Sequence, residues 1–383
     1  MMKNLLIYWM VACLMVLAGC EQEPVGMDPT LTLASAQAIE SDRDIRFMLT
    51  LSEAIDQDLT INFSISELTA GEGTDFELPA SPQLVIPAGA TTGEIIIPLI
   101  NDVEVEIEES FLLEITNDGN LMMVNNPVQG SITSDDILTV DGEGFAAATS
   151  YDLFTLVWEE EFERDLDPAI WNYETGSGRA GNPDNELQDY RSQNAYVQDG
   201  YLVIDLRQEP NGSYSSARIH TEGKREFQFG RIDIRAKLPQ GKGIRSQLLM
   251  LGENFASASL PRSGGIDLVD LNGAVTGIAA SGAEWFQDGE ARAIQDTFNT
   301  RTTTFAEEFH VYSIYWEPTQ ITWYIDDVKY NLLTTTPEEM DEFRQEFFFV
   351  LGAAIGGDVV GAPTDETSFP QRLIVDYIRV YQE

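Results

Sequence analysis

Apolar residues along this chain alternate with polar ones far more often than they recur at helical spacing. The segments "MLTLS", "LTINFSI", "QLVIPA", "GEIIIPLI" and "SFLLEIT" follow one another within residues 30–137, separated by Gly, Asn, Asp and Pro. Val, Ile, Phe and Thr in short runs bounded by turn residues predict the strands of a sandwich. The pattern resumes after Leu153, where "RIDIRAKL" and "ITWYID" alternate as half-buried antiparallel strands do. Only "TPEEMDEFRQ", residues 336–345, predicts a helix, with acids in its first turn. Small and polar residues fill "ILTVDGEGFAAATSYD" between the two stretches. The expected organisation is all-β: one domain over 30–137, a linker over 138–152 and a second domain over 153–383.

The first twenty residues, "MMKNLLIYWMVACLMVLAGC", break this pattern. Lys3 supplies a positive start, an apolar run follows, and the segment closes on Leu17-Ala18-Gly19-Cys20. The run is short and ends in small residues, as a cleaved export signal does. The ending resembles a bacterial lipobox, which implies a lipoprotein signal peptide over 1–19, a lipid on Cys20 and a tether over 20–29. Glu21 and Glu23 resemble the export tag of surface lipoproteins in Bacteroidetes. An outer-membrane, cell-surface lipoprotein is therefore expected, touching the membrane through its lipid anchor only. Cys13 lies inside the signal, so Cys20 is the one cysteine left and no disulfide is expected.

Charge narrows the ligand class. The 383 residues carry 64 Asp and Glu against 22 Lys and Arg, a formal charge of −42. Nucleic acids and anionic membranes need basic patches and are excluded as partners. Sulfated and uronic-acid polymers are disfavoured for the same reason, whereas a neutral ligand or divalent cations fit.

In the first domain, "GTDF" at 73–76, "IPAGATTGEIIIPLINDVEVEIEESFLLEI" at 86–115 and "SITSDD" at 131–136 resemble a Calx-β domain, an immunoglobulin-like sandwich. The resemblance implies structural calcium (Ca2+) at one end, held by Glu40, Asp75, Asp102, Glu106, Asp135 and Asp136. Hard oxygen ligands converging from several loops are what calcium requires. The alternative is a solvated, mutually repelling acidic rim. Nothing in this domain suggests catalysis, so a spacer or adhesion role is expected.

The second domain resembles glycoside hydrolase family 16, in its laminarinase-like branch. "LVWEEEF", "WNYETGSG", "DNELQDY", "FGRIDIRAKLPQGKG", "FHVYSIYWEPTQITWYIDD" and "TSFPQRLIVDYIRVYQ" carry the resemblance in order along the domain. It implies a concanavalin-like β-jelly-roll with a sugar-binding cleft. The family's catalytic strand reads E-I-D-I-M-E: the first Glu attacks the anomeric carbon, and the last protonates the leaving oxygen. Here the strand is Gly265-Ile266-Asp267-Leu268-Val269-Asp270. Residues 265 and 267 share a face, and 270 joins them only through a bulge. Glycine cannot form a sugar ester, and Asp270 is one methylene short. The family's G-L-W-P-A-F-W-M-L-G stands here as "GIRSQLLMLG", without its tryptophans, and Leu260 replaces another.

These departures give the expectation of a pseudoenzyme, not an enzyme, that binds β-1,3-glucan (laminarin) at the cell surface. Catalytic residues are then absent, with Gly265, Asp267 and Asp270 as degenerate positions. Asn185, Arg218, Arg231, Arg245, Gln247, Asp267 and Asp270 are expected to line the sugar site. Trp285 in "ASGAEWFQDGE" is the candidate aromatic platform, against a half-buried loop tryptophan. The partners implied are a neutral β-glucan polysaccharide, a SusC/SusD-type importer and surface glycoside hydrolases. The rival readings are a weak or inverting β-glucanase, using water in the vacancy at 265, and a structural or adhesive protein. His310 is expected to be a buried core residue and His220 to lie on the surface. Glu161 and Asp376 match the surroundings of the family's second structural calcium.

Overall fold

The computed structural model describes residues 29–117, 121–178, 184–335 and 338–383. The signal, the tether to residue 28 and Cys20 lie outside the described residues. The described residues form two β-sandwiches. In the first, a four-stranded sheet containing Thr30–Leu33, Asp44–Leu51 and Thr92–Pro98 faces a five-stranded sheet containing Leu59–Glu67, Glu109–Asn117 and Val128–Thr133. Asp44–Leu51 buries every second residue, Ile45, Phe47, Leu49 and Leu51, so the alternation read from sequence is the core face. Phe47 and Phe76 each meet the Phe111 ring at a tilt at its centre.

The second sandwich pairs a ten-stranded sheet with an eight-stranded one. The eight-stranded sheet runs through Arg218–His220, Phe347–Ile355, Ile244–Gly252, Gly265–Asn272, Ile278–Gln287 and Glu290–Asn299. Its inner face packs Leu248, Met250, Ile266 and Phe349 against Trp316, Trp323 and Ile234 of the other sheet. All nine residues of Phe347–Ile355 are buried, because neighbouring strands and loops cover both its faces. The outer face of this sheet carries the polar residues discussed below.

One local expectation changes. Among the described residues of 336–345 there is no α-helix; Glu338–Arg344 is a 3-10 segment with non-helical backbone at Met340. Met340 and Phe343 are both buried and lie three residues apart, the repeat at which side chains of a 3-10 turn eclipse. The one α-helix among the described residues, Phe255–Ala258, has a single turn. The segment between the domains is bonded to the second sandwich. Arg235 donates to the carbonyls of Phe145 and Gly142 at 2.7 Å each, and Tyr377 Oη accepts from Ala147 N at 2.9 Å. No helix among the described residues is long and apolar enough to cross a membrane.

Candidate active site

A groove of about 230 Å³ opens on the outer face of the eight-stranded sheet. Strand alternation explains its lining. In Ile244–Gly252, Arg245, Gln247 and Leu249 face outward while Ile244, Ser246 and Leu248 are buried. Gly265–Asn272 presents Gly265 and Asp267 to the same groove. The pairing shifts register at Leu268–Val269, so both residues turn inward and Asp270 returns to the outer face opposite Gln247. The expected bulge is therefore present.

Charge in the groove is dense and mostly paired. Arg245 grips Asp270 through Nη2 at 2.6 Å and Nε at 3.0 Å, and reaches Asp184 at 3.4 Å. Both Asp270 oxygens are engaged by this planar fork. Arg218 lies over the Tyr190 ring and approaches Glu186 at 3.5 Å. A Cβ on Gly352 would meet the Arg218 stem at 3.0 Å, so glycine there makes room for the arginine. Burial, with the nearby charges of Asp270 and Glu284, pushes the Asp267 carboxyl up to about 7 against the pull of Arg245.

The space left by Gly265 is filled from the next strand. Ile278–Gln287 pairs antiparallel with Gly265–Asn272, placing Glu284 directly across from Gly265. A Cβ built on Gly265 would lie 3.2 Å from Glu284 Cγ and 3.3 Å from its Oε1. A carboxylate thus occupies the pocket beside residue 265 although that residue has none. Burial raises the Glu284 carboxyl, with Arg245 opposing and Asp184 adding to the rise.

The other expected sugar ligands scatter. Arg218, Arg245, Gln247 and Asp267 line the groove, and Asp270 sits on its Arg245 wall. Asn185 lies beside it, donating to Asp358 at 2.9 Å. Arg231 is on the ten-stranded sheet, bonded to Asp233 and Asp327 over the Tyr151 ring, and is no part of the groove. Trp285 is 9% exposed and packs edge-on against Phe343 in the core. It cannot be the platform, because alternation gives the outer face to its neighbour Glu284. Glu284 itself was missed in the sequence; a lone acid in the otherwise small and apolar "IAASGAEW" was the available signal. His310 is buried and bonded to Asp326 at 2.7 Å, as expected. His220 is also buried, at 8% exposure against Phe348, not on the surface.

The acidic residues of the first domain form two groups, not one. Oxygens of Glu40, Asp102 and Asp136 lie within 4.8 Å of one another, as do those of Asp75, Glu106 and Glu109. Glu40 Oε1 accepts from Asp102 N at 2.7 Å, and its buried Oε2 has no hydrogen-bond partner, which suits a cation. Asp135 instead accepts from Ser41 N at 3.2 Å. The second group is met by Arg207 of the second domain, 2.8 Å from Glu109 and 3.3 Å from Glu106. Glu161 and Asp376 do not fit a shared ion. Glu161 is bound by Arg379 and Asp376 by Arg235, each at 2.6 Å.

Comparison with known proteins accords with this architecture. The family described as Glycosyl hydrolases family 16 matches residues 184–377, and the Calx-beta domain family matches 28–143. Glucan endo-1,3-beta-glucosidase A1 of Niallia circulans is 35% identical over 60% of this chain and 38% of its own length. Beta-glucanase of Rhodothermus marinus is 36% identical over 59% of this chain and 85% of its own. The laminarinase catalytic domain from Thermotoga maritima is 39% identical, with a TM-score of 0.55, over 60% of this chain and 98% of that one. These similarities to enzymes overturn the expectation that the second domain is not an enzyme. That expectation rested on the empty position at Gly265, beside which the structure places the Glu284 carboxylate, and on the shortened Asp270.

Proposed function

The chain belongs to glycosyl hydrolase family 16, with a laminarinase-like domain behind a Calx-beta domain, and on that premise we propose that it hydrolyses a β-1,3-glucan in the groove above Gly265–Asn272. The observation that carries the reading is the Asp267 carboxyl, raised to about 7 and facing the groove. A carboxyl at that value still holds a proton near neutral pH and gives it to a leaving glycosidic oxygen. Asp270, at the family's usual donor position, has both oxygens taken up by Arg245. A neutral polymer also agrees with a surface carrying a charge of −42.

The test is reducing-sugar release from laminarin, with agarose and a mixed-linkage glucan as controls. Product that accumulates with time and protein from laminarin is expected. No product from laminarin on prolonged incubation with correctly folded protein would overturn the reading.

Placement and cofactor belong to the same proposal. The lipobox at Leu17–Cys20 supports a lipid-anchored surface protein that cuts glucan for an importer of the SusC/SusD type. Glu40, Asp102 and Asp136 would hold one calcium ion, which supplies charge neutralisation at that end of the first sandwich.

A further inference from the structure

We propose that Glu284, not residue 265, is the catalytic nucleophile, so that the attacking carboxylate has moved from one strand of the sheet to its neighbour. The assignment rests on the glucanase reading given above. Three observations carry it. Glu284 is the cross-strand partner of Gly265, and its side chain projects into the space that a residue larger than glycine at 265 would need. It lines the groove together with Asp267 and Arg245. No hydrogen bond from another described residue occupies its carboxylate, whereas Asp270 and Glu186 are held by other side chains.

The pairing register also places Glu284 correctly relative to a proton donor. Asp267 pairs with Gly282, so Asp267 and Glu284 are diagonal neighbours on one face. Diagonal positions on adjacent strands stand about 7–8 Å apart, somewhat less between Cβ atoms. Two carboxyl groups that converge from such positions suit the short separation, about 5–5.5 Å, of a double displacement. Gly282 is itself required, since a Cβ there would collide with the Ile294 carbonyl oxygen, so no side chain crowds the pair.

The chemistry balances with these two groups and water. An ionised Glu284 oxygen bonds to the anomeric carbon as the glycosidic carbon–oxygen bond breaks. The bonding pair leaves with the glycosidic oxygen, which takes the Asp267 proton. Water then attacks the same carbon and gives its proton to Asp267. The ester bond breaks with its electron pair returning to Glu284, and both carboxyl groups are restored. The product keeps its anomeric configuration. Burial raises the Glu284 carboxyl, and Arg245 is near enough to oppose that rise.

The decisive experiment traps the intermediate on the full chain. A 2-deoxy-2-fluoro laminari-oligosaccharide with an activated leaving group is incubated with wild-type protein, and peptides are mapped by mass spectrometry. One 2-deoxy-2-fluoro oligosaccharyl group, the probe less its leaving group, is expected on the peptide containing Glu284. In parallel, Glu284→Gln should all but abolish laminarin turnover, a loss on the order of 10⁶-fold, with an unchanged melting temperature. Azide added to Glu284→Ala should restore activity and give a glycosyl azide of inverted configuration. A label on any other residue, or Glu284→Gln turning over at the wild-type rate, overturns this assignment alone. Wild-type protein without laminarin hydrolysis overturns the functional reading, and the assignment with it. Because trapping uses the unmutated chain, a variant that fails to fold does not shield the proposal.

Discussion

Asp267 and Gly265 sit two positions apart on one strand face, and their neighbours give each a different weight. Asp267 is raised to about 7 by burial first, then by Asp270 and Glu284. Below that value the carboxyl carries its proton and can donate it. The hydrolysis rate at low substrate is therefore expected to fall as pH rises through about 7, read from kcat/KM against pH. The stability effect has the same direction. An unfolded aspartate loses its proton near its ordinary value of about 4. The folded one retains it, so a destabilisation absent in acid grows as pH rises from about 4 to about 7. Asp267→Asn should flatten that part of the stability profile. Gly265→Glu is expected to harm, not rescue. Its Cβ would meet Leu260 Cδ2 at 3.1 Å and Glu284 Cγ at 3.2 Å in a buried position. Overpacking of this kind costs about 1–3 kcal/mol, measured by urea denaturation, and no gain in laminarin turnover should accompany it. A variant both faster and as stable would contradict the picture.

At the scale of elements, the strand Ile278–Gln287 shows how alternation divides roles between adjacent residues. Glu284 faces the groove, whereas Trp285 enters the core beside Phe343 and donates from Nε1 to Gln287 at 3.1 Å. Trp285→Ala is expected to cost about 3–5 kcal/mol by leaving a cavity. Glucan affinity, read by affinity electrophoresis, should stay within about twofold, far from the roughly tenfold change that 1.4 kcal/mol at a sugar contact would give. The 3-10 segment Glu338–Arg344 belongs to the same unit. Phe343 stacks on Phe347, and Arg344 Nη2 donates to the Thr335 carbonyl at 2.7 Å. That tertiary contact, not helix propensity, sets the segment's shape.

Across the whole molecule, the two sandwiches meet through arginines of the second. Arg207 reaches Glu106 and Glu109, and Arg372 donates to the Val105 carbonyl at 2.7 Å. Burial pushes Glu106 up to about 8 and Glu109 up to about 10, with Arg207 pulling the other way. The folded interface thus keeps protons that the unfolded chain would release, and it should weaken as pH rises from the ordinary carboxylate value of about 4 up to about 8. Arg207→Ala is expected to cost about 1.5–3 kcal/mol and to separate one calorimetric transition into two, one per sandwich. Calcium acts at another point of the first domain. An ion bound only by the folded form at a hundred times its Kd stabilises by about 2.7 kcal/mol. Added calcium should therefore raise the melting temperature of the first sandwich, and Glu40→Gln should abolish the rise.

Period-two alternation by itself determined the all-β class and the strand pattern, because burying one face of a strand leaves a mark on every second residue. It also determined that residue 265 has no carboxylate and that 270 needs a bulge to rejoin its face. What stood across from Gly265 was a different kind of fact. Glu284 follows it by 19 positions, and only the register of two antiparallel strands places the two side by side. A single shift in that register would have put Trp285 in the groove and Glu284 in the core. The same holds for Arg207, which lies 101 and 98 positions after Glu106 and Glu109 yet bonds both. Pattern along a chain records which face each residue takes. Which residues share a site depends on long-range pairing, and that is settled by the packing of the whole sheet.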